Sequence, residues 1–242
     1  MFSAMSLPGK EGSMSQLPLP AIAFFILTVV LAFVMLGFAV RGSKTALLLS
    51  LLWICAQSGV ALSGFYLSTE TLPPRLLAAV GPPMVLLGIV LFTGEGRCFM
   101  DGMSLKWSVM LHSIRILVEV NLYVLFLFRQ VPVQMTFEAG NLDILIGLTA
   151  PAIWWAFIKG HVSRRGLLIW NSVALLSVLN ALGRAMLSVP FRFQRFAFDQ
   201  PTIAILYFPF VLLPAFLVPA VLLCHCVVFR KLLPHSPLKR AM

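Results

Sequence analysis

Long apolar stretches separated by short polar ones dominate the pattern along the chain. Each stretch is continuously apolar, without period-two alternation, and approaches or exceeds the roughly 20 residues that a bilayer-crossing helix needs. The pattern therefore predicts an all-α, polytopic membrane protein built as a seven-transmembrane-helix bundle. The predicted spans one to seven cover residues 20–40, 45–67, 75–93, 108–128, 142–158, 166–188 and 202–229. We expect a flexible tail over 1–19 and a basic cytoplasmic tail over 230–242.

Basic residues between the spans predict the orientation of the bundle. The segments on one side carry eleven Lys and Arg residues, whereas those on the other side carry five. Cytoplasmic loops of membrane proteins have an excess of Lys and Arg. We therefore expect the N-terminus outside, the C-terminus in the cytoplasm, and a location in a bacterial cytoplasmic (inner) membrane.

The net charge of +10 narrows the class of partners. The basic residues of the chain flank the predicted helices and do not form a patch with interleaved aromatic side chains, so no nucleic-acid partner is expected. The expected partners are the lipid bilayer, anionic lipids of the inner leaflet and a small-molecule ligand.

Cysteine and histidine positions predict no cofactor. The run Cys224-His225-Cys226 suggests zinc by composition. However, successive helical residues are about 100° apart, so the two thiols point in nearly opposite directions. No metal site and no haem are predicted.

Ionisable residues inside spans four and six are the strongest functional signal, because such residues face the bundle interior or water. His112, Arg115 and Glu119 fall within about 60° on a helical wheel, and Asn121 lies almost opposite. Span six has a second stripe within about 80°, and span two presents Gln57 on a small-and-polar face. The stripe in span six comprises Ser177, Asn180, Arg184 and Ser188. Three stripes suggest a shared polar interior.

The partner of Glu119 stays open at this level. Arg115 lies four residues before it and could neutralise it within one helix. Arg184 of span six could instead form a buried strut with it. Either pair could be structural, or could belong to a ligand or proton pathway.

Span five and the residue before it form the other informative stretch. Asn141 suits a helix N-cap, and Asp143 lies in the first turn, where the helix dipole favours an anion. The span is short and interrupted by Gly147 and Pro151, a pattern typical of transporter binding sites.

These observations favour a protein that binds or transports a small polar or anionic molecule through a cavity among spans four, five and six. Arg184, Arg192 and Arg195 would favour an anion. The alternatives are an integral-membrane enzyme with Glu119 or Asp143 as base, or a non-catalytic subunit or sensor. An enzyme is the less favoured class, because no catalytic constellation has recognisable spacing. The candidate residues for a ligand or proton pathway are Arg115, Glu119, Asn141, Asp143, Asn180 and Arg184, with His112 and Gln57 as secondary candidates.

Overall fold

Helices and turns, without a strand, make up the part of the chain that the computed structural model describes, residues 17–233. The all-α prediction is confirmed for these residues. Residues 1–16 and 234–242, which hold most of the two predicted tails, lie outside the described residues. The nine helices of the described range are α1 (Leu19–Ala39), α2 (Lys44–Leu62), α3 (Leu77–Phe92), α4 (Gly94–Gly102), α5 (Leu105–Met110), α6 (Ile114–Leu127), α7 (Asp143–Ile158), α8 (Arg164–Ser188) and α9 (Val218–Leu232).

Five helical segments of residues 17–233 are long and apolar enough to cross a membrane. They are Leu19–Ala39, Lys44–Leu62, Leu105–Leu127, Arg164–Ser188 and Leu213–Leu232. The pair α3 and α4, bent by 91°, makes a sixth candidate if it counts as one span. Helix α7 is apolar but has 16 residues, fewer than the other candidates. The chain thus has the helices of a membrane protein.

Helix α4 forms within a segment that the hydropathy pattern predicts to be a polar loop. The Thr93 hydroxyl caps it by accepting a hydrogen bond from the Gly96 amide (3.1 Å), and Glu95 occupies its first turn. Both features favour a helix start, because the first amides of a helix lack partners and its dipole attracts an anion. At the far end of α4, Asp101 pairs with Arg230 of α9 at 2.5 Å.

The last membrane-length segment begins at Leu213, well after the start of predicted span seven at residue 202. Most of the intervening apolar residues are buried inside the protein, including Leu206, Phe210 and Val211. The Gln130 carbonyl accepts hydrogen bonds from the amides of Ile203 and Ala204 (3.0 and 3.2 Å), and the segment forms a 3₁₀ turn, Ala204–Leu206, in place of an α-helix. Hydropathy alone does not separate an apolar segment that faces lipid from one that faces protein, which explains the difference in boundary.

A π-helical turn, Leu213–Leu217, leads into α9. Pro219 has no amide hydrogen, so it cannot donate to the carbonyl of Ala215 four residues earlier. The Trp53 indole of α2 donates to that carbonyl instead, at 3.0 Å. A side chain of α2 thereby supplies a hydrogen bond that Pro219 cannot make.

The two membrane-length segments with the largest buried fractions are Leu105–Leu127, which contains α5 and α6, and Leu213–Leu232, which contains α9. These three helices therefore occupy the centre of the bundle. Between α5 and α6 the chain tightens into one 3₁₀ turn, Leu111–Ser113. Asn121 of α6 donates to the Thr28 hydroxyl of α1 at 3.1 Å. Asn121 therefore faces α1, whereas Arg115 and Glu119 on the opposite face point towards α7 and α8.

Candidate functional site

A cavity of about 80 Å³ lies where α6, α8 and the start of α9 meet. Its lining is apolar apart from the three ionisable residues Arg115, Glu119 and Asp143. A single buried water needs about 10–15 Å³ on this scale, and drug-sized ligands occupy roughly 300–1,000 Å³. The cavity therefore suits a few waters or a molecule of a few non-hydrogen atoms.

Arg115 is held by groups from two other helices. Its Nη2 atom lies 2.5 Å from Oδ1 of Asp143, at the start of α7, and its Nη1 atom donates to the Ala174 carbonyl of α8 at 3.0 Å. The Ser177 hydroxyl donates to the same Asp143 oxygen. Arg115 and Asp143 are only 3% and 7% exposed, so this is a buried ion pair that joins α6, α7 and α8.

Glu119 forms the other half of the site and keeps one oxygen available. The Asn141 side-chain amide donates to its Oε1 atom at 2.6 Å. The oxygen of the same amide accepts a hydrogen bond from the Asp143 backbone amide at 3.3 Å, so Asn141 connects the two acidic residues. Oε2 of Glu119 is buried and has no hydrogen-bond partner in the described range. This oxygen is the available acceptor on a residue that lines the cavity.

Four of the predicted candidates thus form one network: Arg115, Glu119, Asn141 and Asp143. The two expected partners of Glu119 are both replaced. Arg115 pairs with Asp143, because the first turn of α7 brings that carboxylate to the guanidinium. Arg184 donates to the carbonyls of Gln134 and Ala139 (3.3 and 3.1 Å) and so holds the loop before α7.

The remaining candidates lie outside the cavity lining. Asn180 is exposed on the bundle surface, because the buried face of α8 is narrower than the stripe of about 80° drawn on the wheel. Gln57 accepts a hydrogen bond from the Tyr66 hydroxyl, next to the end of α2. His112 packs against His225 of α9, with 4.1 Å between the ring centroids.

The structure also contributes residues that the polar pattern did not select. Ser177 belongs to a predicted stripe but was not a candidate, and the lining from the last helix was not expected at all. That lining is apolar, with Leu213, Leu217 and Val221, and apolar residues in an apolar span carry no distinguishing signal. Predicted span five contributes Asp143 to the cavity lining.

Residues 76–233 match a family described as a domain of unknown function, DUF8737. This match covers more than half of the chain. The chain belongs to DUF8737. No curated protein and no solved structure matches the chain.

The DUF8737 segment contains the whole cavity lining, from Ile114 to Val221. Helices α1 and α2 precede that segment and support it from outside, through Thr28 and Trp53. The candidate site is therefore built entirely within the DUF8737 domain. Across residues 17–233, no group of three or more His, Cys, Asp or Glu side chains is arranged to hold a metal ion.

Proposed function

We propose that this DUF8737 protein binds or transports a small molecule with an apolar body and a hydrogen-bond donor, such as an amine, in the Glu119 cavity. The observation that carries the proposal is the buried Oε2 atom of Glu119, which has no partner in the described part of the chain. A donor group on a ligand would satisfy this oxygen, and the apolar lining would receive the rest of the molecule.

The charges around the cavity favour a donor or a cation over an anion. The lining holds two acidic side chains and one guanidinium, and Nη2 of that guanidinium is already paired with Asp143. Arg184 is engaged by loop carbonyls, and Arg192 and Arg195 are exposed and outside the lining. Of the two ligand classes that the sequence suggests, the polar one thus has the better support.

A small-molecule enzyme is the second candidate, and one observation favours it. Glu119 and Asp143 line the same cavity and are connected through Asn141. Glu119 is the better base of the two, since Oδ1 of Asp143 already accepts from Arg115 and Ser177. In a non-catalytic subunit or sensor, the same network would only hold the helices together.

The binding proposal is tested with butylamine as the probe, by thermal unfolding of the purified protein in detergent. We expect butylamine to raise the Tm, by a stabilisation of about 2.7 kcal/mol at a hundredfold excess over Kd. Glu119→Gln should remove this stabilisation, because the amide presents a donor or a neutral oxygen where the carboxylate was. Butyrate, of similar size and opposite charge, should not stabilise either protein.

Glu138→Gln is the matched control, because Glu138 is an exposed carboxylate in the loop before α7. It should keep the full response to butylamine. An equal response in the Glu119→Gln protein would contradict the proposal. If Glu119→Gln lowers the Tm strongly without ligand and the wild-type protein does not respond to butylamine, the strut is the better interpretation.

We also propose seven membrane crossings, with the N-terminus outside, the C-terminus in the cytoplasm, and anionic inner-leaflet lipids around the basic ends. In this arrangement the α3–α4 pair and the 16-residue α7 each cross the membrane, in addition to the five longer segments. The excess of Lys and Arg on one side supports this orientation, and a bacterial inner membrane is the proposed location.

Four exposed positions test the crossings of α3 and α7 by labelling with a membrane-impermeant maleimide. In chains whose other cysteines are replaced by serine, we expect Glu70→Cys and Glu138→Cys to react in intact cells. Native Cys98 and Lys159→Cys should react only after permeabilisation. Labelling of Glu70→Cys and Cys98 from the same side would show that the α3–α4 pair re-enters, and the other two positions test α7 in the same way.

A further inference from the structure

Arg115 has an unused hydrogen-bond donor inside the bundle. A guanidinium carries its N–H groups on three nitrogens and has no acceptor. Nη1 donates to the Ala174 carbonyl, and Nη2 pairs with Asp143. The third nitrogen, Nε, is buried and has no hydrogen-bond partner in the described range. Because arginine stays protonated in proteins, only an acceptor can satisfy this N–H group.

The unused donor of Arg115 and the unused acceptor of Glu119 lie on the same face of α6. The two residues are four positions apart, which makes their side chains neighbours on a helix. Both residues are buried and both line the cavity. Yet Nε and Oε2 do not satisfy each other, and no ion pair joins the two side chains among residues 17–233. The residues that line the cavity thus include one unsatisfied donor and one unsatisfied acceptor.

Contacts with other parts of the fold hold both groups in place without using these two atoms. The guanidinium is anchored to Asp143 of α7 and to the Ala174 carbonyl of α8. The Glu119 side chain is anchored through Oε1, which accepts a hydrogen bond from Asn141. Side chains that are already fixed lose little conformational freedom when a ligand binds, so the donor and the acceptor are preorganised.

We propose that the ligand of the Glu119 cavity carries a primary carboxamide as its head group. This inference rests on the binding function proposed for the cavity, and it adds an acceptor to the donor that Glu119 requires. The amide N–H group donates to Oε2 of Glu119, and the amide carbonyl accepts from Nε of Arg115. The apolar lining from α8 and α9 contacts the hydrocarbon part of the molecule.

The charges of the lining favour a neutral head group that carries both a donor and an acceptor. An ammonium group satisfies Glu119, but it has no lone pair for Arg115 and adds a positive charge near the guanidinium. A carboxylate accepts from Arg115, but it adds a negative charge near Asp143 and Glu119. A carboxamide makes both hydrogen bonds, and its burial costs less free energy than that of a charged group.

The test compares three four-carbon probes by thermal unfolding of the purified protein in detergent. Butyramide has a donor and an acceptor, butylamine at neutral pH has only the donor, and butyronitrile has only the acceptor. The dependence of the Tm on probe concentration gives the Kd. We expect butyramide to bind at least about tenfold more tightly than either of the other probes, because each of them lacks one hydrogen bond to a charged group.

Arg115→Lys removes the Nε donor and keeps the positive charge. Lysine has a methylene group at the position of Nε, and its ammonium group can still pair with Asp143. The preference for butyramide over butylamine should therefore fall about tenfold, because the ligand carbonyl loses its donor. This preference is a ratio of two Kd values in one protein, so a change in stability does not affect it.

Arg230→Lys is the matched control, because Arg230 also pairs with an aspartate at 2.5 Å but lies outside the cavity lining. It should keep the full preference for butyramide. Stabilisation by butylamine without a preference for butyramide would overturn this inference and leave the binding proposal intact, whereas a response to neither probe would contradict both. These two results come from the wild-type protein and need no variant to fold. An unchanged preference in Arg115→Lys would also overturn the inference.

Discussion

Asp143→Ala is expected to lower the free energy of unfolding by about 3–5 kcal/mol, because it leaves Arg115 charged and unpaired inside the bundle. The Asp143 carboxylate forms the ion pair with this guanidinium, at 2.5 Å. Its removal also deprives the Ser177 hydroxyl of its acceptor. The measurement is reversible unfolding in detergent or bicelles, with the folded fraction followed by circular dichroism.

A second, more exposed ion pair provides the control. Asp101 pairs with Arg230 at the same distance, 2.5 Å, but the Asp101 side chain is 46% exposed. Exposed pairs contribute about 0–1 kcal/mol, so Asp101→Ala should cost no more than that. Equal costs for the Asp101→Ala and Asp143→Ala variants would contradict a dry environment for Arg115.

The double variant Arg115→Met with Asp143→Leu replaces the buried ion pair by apolar side chains of similar size. It thereby separates the effect of the two charges from the effect of filling the buried space. Apolar residues of similar volume often replace a buried ion pair without loss of stability. We therefore expect the double variant to recover most of the stability that Asp143→Ala loses. Recovery of stability without recovery of butylamine binding would assign the ion pair to the ligand site rather than to the fold.

The choice of partner for Arg115 shows what the sequence could and could not provide. A helical wheel correctly groups Arg115 with Glu119 and sets Asn121 apart, because it depends only on the helix period. The wheel contains no distances between helices. The first turn of α7 places Asp143 next to Arg115, and Glu119 is hydrogen-bonded by the amide of Asn141 and not paired with a cation. The wheel therefore predicts which of these residues share a face, but not which residues pair with them.

Hydropathy predicted membrane-length helices more reliably than it predicted where the last one begins. In the hydropathy pattern, the π turn at Leu213–Leu217 and the buried apolar residues before it form one continuous apolar span. Residues that face protein and residues that face lipid are equally apolar, so composition does not distinguish them. The His112–His225 contact was inaccessible for a related reason, since no local pattern connects two helices that are distant in the chain.

Gly147→Ala is expected to destabilise the protein by about 1–3 kcal/mol, through overpacking between α6 and α7. In the sequence, Gly147 and Pro151 suggest a broken helix, yet α7 runs without interruption from Asp143 to Ile158. A Cβ atom on Gly147 would lie 2.7 Å from Cγ1 and 2.9 Å from the backbone nitrogen of Ile116. Relief of the second contact requires a shift of α6 itself. Gly147 is therefore required for the close approach of two helices.

Gly88→Ala is the matched control, because Gly88 is also helical and a Cβ atom there would meet nothing within 4 Å. It should be neutral or stabilise by about 0.4–1 kcal/mol. Both variants are compared by the unfolding measurement used for Asp143→Ala and by the response to butylamine. Because Gly147 lies one turn from Asp143 and against the helix that carries Glu119, its variant should also bind butylamine more weakly. A Gly147→Ala protein with full stability but impaired binding would instead indicate that α7 moves when the ligand binds.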